Sequence, residues 1–533
     1  MHRCRPTLQE SRLTPARSRH CGRECPQDAP HKMPLGSEYP GKAWKARRVD
    51  SQRLFPSGKE ALFLLFSGLY SRTLVCLPFL ISVSEVRPLN QLDRSYLKIA
   101  LPASLEGVFM TLLASADLIM VGVLGTESVA AVGIFTQPRL ILLTFARAMA
   151  AALTLHVARA AVQGRERIGW YLQQTLALAL LLLGAIHVLF FWQLPEILRL
   201  MGAQADYLSD AILYGRLSCL AVWITSMTVV LQAVSLGCGR TDSILKANVA
   251  GNVANVAANY LFIFGLGPIP PFGIAGAALG TIAGTALSLV LAITELRKLR
   301  LHWCVRSLRS WLPDPRFVRS LAHSFAGILS EQGSNRIAMV LFTRMVAGLG
   351  TLPLAVHSIC MTFCDLYYDF ALGLGKASMV LAGQSFGKRD PDLWHCYRHA
   401  GIRWVQVFST VSFVLTLYFR EEIFRLFSHD GEALLLALPV LVIAAVVSYP
   451  EAFALIFAGM LQGSGRVLSV GGYTFVSMIL RLSATAFFLY VLDLGLLGAW
   501  YALLLDQSFR AVCSYILVRR MDVHASVLEH NEF

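Results

Sequence analysis

A chain of 533 residues that is 55% hydrophobic and only 15% charged, with a mean hydropathy of +0.56, departs from the soluble domain, in which about a quarter of residues carry charge. Its formal net charge of +14 falls in short connections rather than along one folded face, which sets nucleic-acid binding aside. The 11 cysteines lack the spacing of a secreted disulfide framework, and Cys360 and Cys364, one helical turn apart, read as small packing residues.

Residues 1–92 form a basic, proline-containing extension, expected to be disordered or absent from the native protein. Its apolar segment, Ala61 to Val83, contains Arg72 and Pro78. As a true span it would place the basic residues of every later loop on the wrong side, so it reads as interfacial or as an untranslated upstream stretch. His20, Cys21, Cys25 and His31 match no zinc spacing. The stretch Gly36 to Ala43 ends without the Ser or Thr of a phosphate loop, so ATP is not expected as the energy source, nor any cofactor.

From there the chain is a succession of apolar windows, each close to the roughly 20 residues that cross a bilayer. They fall at 98–123, 130–157, 172–194, 209–235, 245–267 and 273–296, then at 321–347, 353–381, 401–420, 434–459, 468–491 and 495–518. The second set repeats the first. Leu124-Gly125-Thr126 recurs as Leu349-Gly350-Thr351, Gly164 as Gly387, Gly237-Cys238-Gly239-Arg240 as Gly463-Ser464-Gly465-Arg466, and Gly276 as Gly498, at an offset of about 225 residues. The expected fold is therefore an all-α integral membrane protein with twelve transmembrane helices in two pseudo-symmetric six-helix lobes. The expected divisions are 93–296, a cytoplasmic linker 297–319 rich in Arg and Trp, 320–520, and a tail 521–533. Repeated halves of this kind build transporters, with the substrate path where they face one another.

Charge orients the chain. Connections on one side carry Arg159, Arg165, Arg167, Arg240, Lys246, Arg297, Lys298, Arg300, Lys388, Arg389 and Arg466, whereas the other side carries only Arg199, Arg420 and Arg425 among several acids. By the positive-inside rule both termini are expected in the cytoplasm.

Ionisable residues inside spans are costly and point to function. Asp117, Glu331 and Glu451 stand out, because a carboxylate held away from water exchanges a proton or a small cation more readily than one in solution. Glu106, one repeat before Glu331, is a weaker fourth. Asp365 and Asp369 lie one turn apart beside Tyr367, Tyr368 and Lys376, lining a cavity or satisfied by Lys376 or Arg344. Asn248, Asn252, Asn255 and Asn259 share one helix face, either as glue between helices or, for Asn255 and Asn259, as partners of Asp117 and of a hard cation such as sodium. Pro102, Pro138 and Pro450 are points where spans can bend.

The run LASADLIMVGVLGTESVAAVG at 113–133, GCGRTDSILKANVAGNVANVAANYLFIFGLG at 237–267, GIAGAALGT at 273–281, GLGKASMVLAGQSFGKRD at 373–390 and LQGSGR at 461–466 resemble the multidrug and toxic compound extrusion (MATE) family, in its NorM-like branch, over about residues 93–520. The resemblance implies an antiporter that exports organic cations, drugs or metabolites against sodium or protons. It implies cation coupling at Asp117, Glu331, Glu451, Asn255 and Asn259, with Asn259 standing where other members have aspartate and Glu451 where the branch has aspartate. The cargo would meet Asp365, Asp369, Tyr367, Trp223, Met227, Met361 and Phe363. No metal beyond a transported sodium is expected; the partners are a small organic molecule, the ion and the lipid bilayer, and the protein is expected as a monomer in the bacterial inner membrane. A lipid-linked precursor flippase is the alternative, kept open by Arg139, Arg147, Arg216 and Arg481. A membrane enzyme is further off, since GQSFG at 383–387 closes a membrane helix instead of a strand-turn-helix elbow.

Overall fold

The computed structural model describes residues 91–164, 166–265, 270–299, 311–427 and 430–521. The amino-terminal extension up to residue 90, with its zinc-like and phosphate-loop-like letters, and most of the middle linker lie outside the described residues. Long runs of Ala, Leu and Val, interrupted chiefly by Gly, leave helix as the one structure that satisfies every backbone group within a bilayer. Twelve long helices result among the described residues, with a short one between the ninth and the last three. In the first half they are α1 Gln91–Gly122, α2 Thr126–Ala160, α3 Glu166–Leu200, α4 Leu208–Gly237, α5 Thr241–Phe264 and α6 Ile274–Lys298. The second half holds α7 Pro315–Ala347, α8 Thr351–Lys388, α9 Pro391–Tyr418, the short α10 Arg420–Arg425, α11 Gly431–Gly463, α12 Val467–Ala486 with a π-helical extension Phe487–Val491, and α13 Gly495–Arg519.

The duplication is visible in the backbone. Gly125 breaks the chain before α2 at φ 113°, and Gly350 breaks it before α8 at the same φ. Only glycine adopts that conformation without strain, which explains why the two Leu-Gly-Thr stretches coincide. Packing repeats as well: α2 lies on α4 as α8 lies on α11, and α1 on α5 as α7 on α12. Small residues permit these approaches. A Cβ on Gly284 would collide with Asn255 and the backbone of Gly251, and one on Gly459 with the carbonyl of Gly375, so α5 meets α6 and α8 meets α11 backbone to backbone.

Seven helices, α2, α3, α4, α6, α9, α11 and α12, are long and apolar enough to cross a membrane by composition. The remaining long helices include α5, α7, α8 and α13, which carry the asparagine stripe, Glu331, the Asp365 and Asp369 pair, and Asp506. Much of their polarity meets other helices, as the contacts below show. Pro102, Pro138 and Pro450 sit inside unbroken helices. Helix α7 starts at Pro315, inside the stretch 297–319 expected as linker, because Asp314 caps it, accepting from the backbone N–H of Arg316 (2.8 Å) and Phe317 (3.3 Å).

Among the described residues, the hydrogen bonds and ion pairs between the lobes gather toward one end. Asp93 pairs with Arg403 at 2.8 Å, Tyr96 reaches Ser378 at 3.0 Å, and Gln163 donates to the carbonyl of Gly387 at 3.1 Å. His156 lies 3.0 Å from the Ser320 hydroxyl and packs edge-on to Phe317, within an apolar cluster that takes Leu153 and Ala152 from the first lobe and Leu321 and Ile328 from the second. The last interlobe hydrogen bond along α1, among the described residues, runs from Thr111 to Asp369. Beyond it α1 continues 11 residues to Gly122, about 16 Å of helix.

Candidate functional site

Three clusters of polar side chains follow from this arrangement. Between the lobes, Glu106 accepts from Lys376 of the opposite lobe (3.3 Å) and from Asn248 Nδ2 (2.8 Å), while Gln232 donates to Asn248 Oδ1 (2.7 Å). Lys376 is thus committed to Glu106 rather than to the Asp365 and Asp369 pair. Asp369 instead accepts from the Thr111 hydroxyl at 2.5 Å, and Asp365, one turn above, is exposed.

The second cluster lies inside the first lobe. Asn259 Nδ2 donates to Asp117 Oδ1 at 2.9 Å. Oriented to satisfy its neighbours, Asn255 Nδ2 donates to both Asp117 oxygens (2.7 and 3.0 Å), and its Oδ1 accepts from Thr281 N–H (3.1 Å) and Oγ1 (3.3 Å). Both asparagines are buried, and Asn259 Oδ1 is buried without a hydrogen-bond partner. The spacing explains the alignment: Asn248, Asn252 and Asn259 meet Glu106, Met110 and Asp117, so one face of α5 reads one face of α1 turn by turn. Asp117 makes no ion pair among the described residues, although Arg139 is a charged neighbour.

The third cluster lies inside the second lobe. Glu331 accepts from Gln462 Nε2 at 2.5 Å, with Arg510 as its charged neighbour. Glu451 makes no ion pair or side-chain hydrogen bond among the described residues, and Arg481, Asp365, Arg510 and Asp506 are its charged neighbours. Asp506, wholly buried, is gripped by both arginines: Arg481 donates to it at 2.9 Å through Nε, and Arg510 at 3.3 Å. Ser477 donates to the same carboxylate and accepts from Arg510 Nε at 2.7 Å. Two guanidiniums around one carboxylate leave a fixed charge of plus one beside Glu331 and Glu451.

Several expected residues are placed elsewhere. Met227 is buried in the apolar cluster at the lobe junction, and Tyr367 is buried with its ring stacked on Phe408 and its hydroxyl against Ser409 and Ser448. Trp223 turns toward α3, edge-on to His187, and Met361 packs on the core of the second lobe. Aromatic and sulfur side chains in a helix surrounded by helices fill packing space before they line a cavity. Phe363 is half-buried on α8. Among the four arginines, Arg481 is neutralised by Asp506, and Arg216 is exposed over the ring of Phe191; only Arg139 and Arg147 remain without a direct partner among the described residues.

Asp506, Arg510 and Thr281 carry these clusters and were not singled out from the sequence. Asp506 had a signal, as an acid in the middle of the last apolar window with Arg510 one turn on. Its principal partner lies on α12, which spacing along one helix does not reveal.

A duplicated twelve-helix bundle, with carboxylates held among polar side chains in the interior of each lobe, is an architecture that secondary transporters use. The chain matches the MatE family model over residues 102–261 and 323–487, and it belongs to that family. It is 26% identical over 431 residues to the probable multidrug resistance protein NorM of Rhizobium meliloti, covering 75% of this chain and 87% of that one. To the multidrug resistance protein NorM of Vibrio vulnificus it is 25% identical over 431 residues, covering 78% and 93%. Among solved structures, MATE in its bent conformation superposes with a TM-score of 0.75 at 21% identity, covering 83% of this chain and 97% of that one. An outward-facing MATE family transporter superposes with a TM-score of 0.73 at 20% identity, over 82% and 97%.

Proposed function

We propose that this protein is a cation-coupled antiporter that exports small organic compounds by alternating access, taking its driving force from sodium or protons bound at Asp117. The observation that carries the reading is the set of neutral amides around Asp117. An asparagine offers a donor and an acceptor on one short side chain. Facing the carboxylate with Nδ2, Asn255 and Asn259 hold it by hydrogen bonds; turned over, they offer oxygens to a cation that the carboxylate neutralises. An acid held this way exchanges partners at small cost, whereas one paired to arginine does not. Glu331 and Glu451 join the coupling set in the second lobe, beside a cleft into which Asp365 opens.

The polar ties between the lobes cluster at the ends where the basic connections lie, which the positive-inside rule assigns to the cytoplasm. With both termini on that side, the structure corresponds to a state closed to the cytoplasm and open outward. Cation binding at Asp117 and release of cargo to the outside then belong to the same half-cycle, and exchange follows from their linkage. The cargo is then a drug-like compound and the membrane a bacterial plasma membrane, a reading that the relatives named for multidrug resistance support.

The test is export of a fluorescent organic compound from proteoliposomes driven separately by a sodium step and by a pH step. One of the two steps is expected to accelerate export in the wild type and to have no effect in Asp117→Asn. Export that ignores both gradients in the wild type would overturn the antiport reading.

A further inference from the structure

One cation of the spans lies apart from the three clusters. Arg216 sits on α4 a little over two turns, about 12 Å, in from the start of that helix at Leu208. Ala211, Tyr214, Gly215, Ser218 and Cys219 bury one side of α4. Leu213, Arg216 and Leu220 stand exposed on the opposite side, with the two leucines one turn to either side of the arginine. A face of exposed leucines on a helix that crosses a membrane is turned to lipid.

The neighbouring helix completes the setting. The guanidinium carbon of Arg216 stands 5.8 Å from the ring centroid of Phe191 on α3. Phe191 is itself exposed, Val188 and Leu189 are exposed on the turn before it, and Trp192 beside it is 78% exposed. A tryptophan largely clear of the protein on a spanning helix marks the boundary between acyl chains and headgroups. Consistent with that level, the polar Gln193, Glu196 and Arg199 follow on the way to the end of α3. Arg216 makes no ion pair among the described residues, and Glu196 is taken by Arg199. A guanidinium on a lipid-facing surface is costly unless its long side chain carries it to a polar partner, and at this level the membrane itself offers one, the phosphates of its lipids.

We propose that Arg216, seated on the ring of Phe191, binds the phosphate diester of a phospholipid whose acyl chains lie along Leu213, Leu220 and the exposed face of α3. The planar fork of the guanidinium donates two parallel hydrogen bonds to the phosphate oxygens, and the ring beneath keeps the fork over the crevice between α3 and α4. Helix α3 packs chiefly against α2 and α4, so a lipid that touches both α3 and α4 fastens it to the first lobe.

The experiment is native mass spectrometry of the full chain released from detergent with added phosphatidylglycerol, phosphatidylcholine or diacylglycerol of the same acyl chains. The wild type is expected to bind either phospholipid about tenfold more tightly than Arg216→Leu does, the worth of one hydrogen bond to a charged group. Diacylglycerol, which lacks the phosphate, is expected to bind both proteins alike. Arg216→Lys, which keeps the charge and loses the fork, is expected to fall between the two, and Phe191→Leu to lose about threefold. Leucine suits a lipid-facing position, so Arg216→Leu is expected to unfold at the wild-type temperature when no lipid is added; if it does not fold, Arg216→Gln carries the same comparison. Equal phospholipid affinity in the wild type and the variant, or diacylglycerol held as tightly by the wild type as the phospholipids, would overturn the proposal. Displacement of the lipid by millimolar inorganic phosphate would make the site one for a free anion and overturn it as well.

Discussion

The interiors of the two lobes share a backbone plan and hold charge in opposite ways. In the first, Asp117 is surrounded by neutral amides, with Arg139 as a charged neighbour. In the second, Asp506 is locked between Arg481 and Arg510, and Glu331 and Glu451 share the field of those guanidiniums. A guanidinium cannot give up its proton or leave, so the second lobe carries its own permanent counter-cations. Duplication supplied two equivalent frames; on the reading proposed above, the first holds the principal exchange site, and the second adds a fixed electrostatic support beside Glu331 and Glu451.

The sharpest way to break this comparison is to neutralise one acid in each lobe. Asp117→Asn is expected to reduce gradient-driven export to the leak measured without protein. Glu331→Gln, whose partner Gln462 can still pair with an amide and whose field is set by Arg510, is expected to slow export by about tenfold, at the low end of ordinary coupling energies. Equal and complete losses in the two variants would mean that both lobes exchange the ion.

Stability should respond in the opposite sense. Asp506→Asn leaves the buried guanidinium of Arg481 beside that of Arg510 without their shared counter-charge and is expected to cost about 3–5 kcal/mol, the usual penalty for removing one partner of a buried pair. Asp117→Asn exchanges one polar partner for another among amides and is expected to stay within about 1 kcal/mol of the wild type. Thermal unfolding in detergent micelles compares them directly; a milder loss for Asp506→Asn than for Asp117→Asn would reverse the assignment of fixed and exchangeable charge.

A third variant tests the junction that holds both frames together. A Cβ on Gly383 would stand 2.9 Å from Ala158 Cβ across the lobe boundary, so Gly383→Val overpacks the seal and is expected to favour separation of the lobes there by about 1–3 kcal/mol. Faster hydrogen exchange over 156–164 and 383–389, with the rest of α2 and α8 unchanged, is the expected signature. Unaltered exchange at those segments would mean that the contact bears no part of the closure.

How much of this was legible in the letters follows the range of the interactions. The helices and their breaks were, because Gly125 and Gly350 answer a local backbone demand and apolar runs are contiguous. The asparagine face of α5 was too, since a 3.6-residue period places its members together before any partner is known. The partner of Arg481 was not: Asp506 lies on another helix, and the pairing turns a residue read as a cavity cation into a neutralised one. Nor was the inward turn of Met227 and Tyr367, because a helix covered on most sides has no single face that the pattern marks as cavity.

The smallest expected effect sharpens the comparison within the first lobe itself. Asn252 belongs to the same stripe as Asn255 and Asn259, yet its amide donates only to Met110 Sδ (2.9 Å), a weak acceptor, and to the carbonyl of Asn248 one turn back (2.8 Å). It is half-buried, so water replaces what alanine removes. Asn252→Ala is expected to change stability by less than about 0.5 kcal/mol and to leave gradient-driven export at the wild-type rate. Asn259→Ala, by contrast, strips Asp117 of a buried donor and should weaken the ion dependence of export measurably in the same assay. If the two alanines behaved alike, the stripe would act through helix packing alone, and the amides around Asp117 would lose their claim to the exchange site.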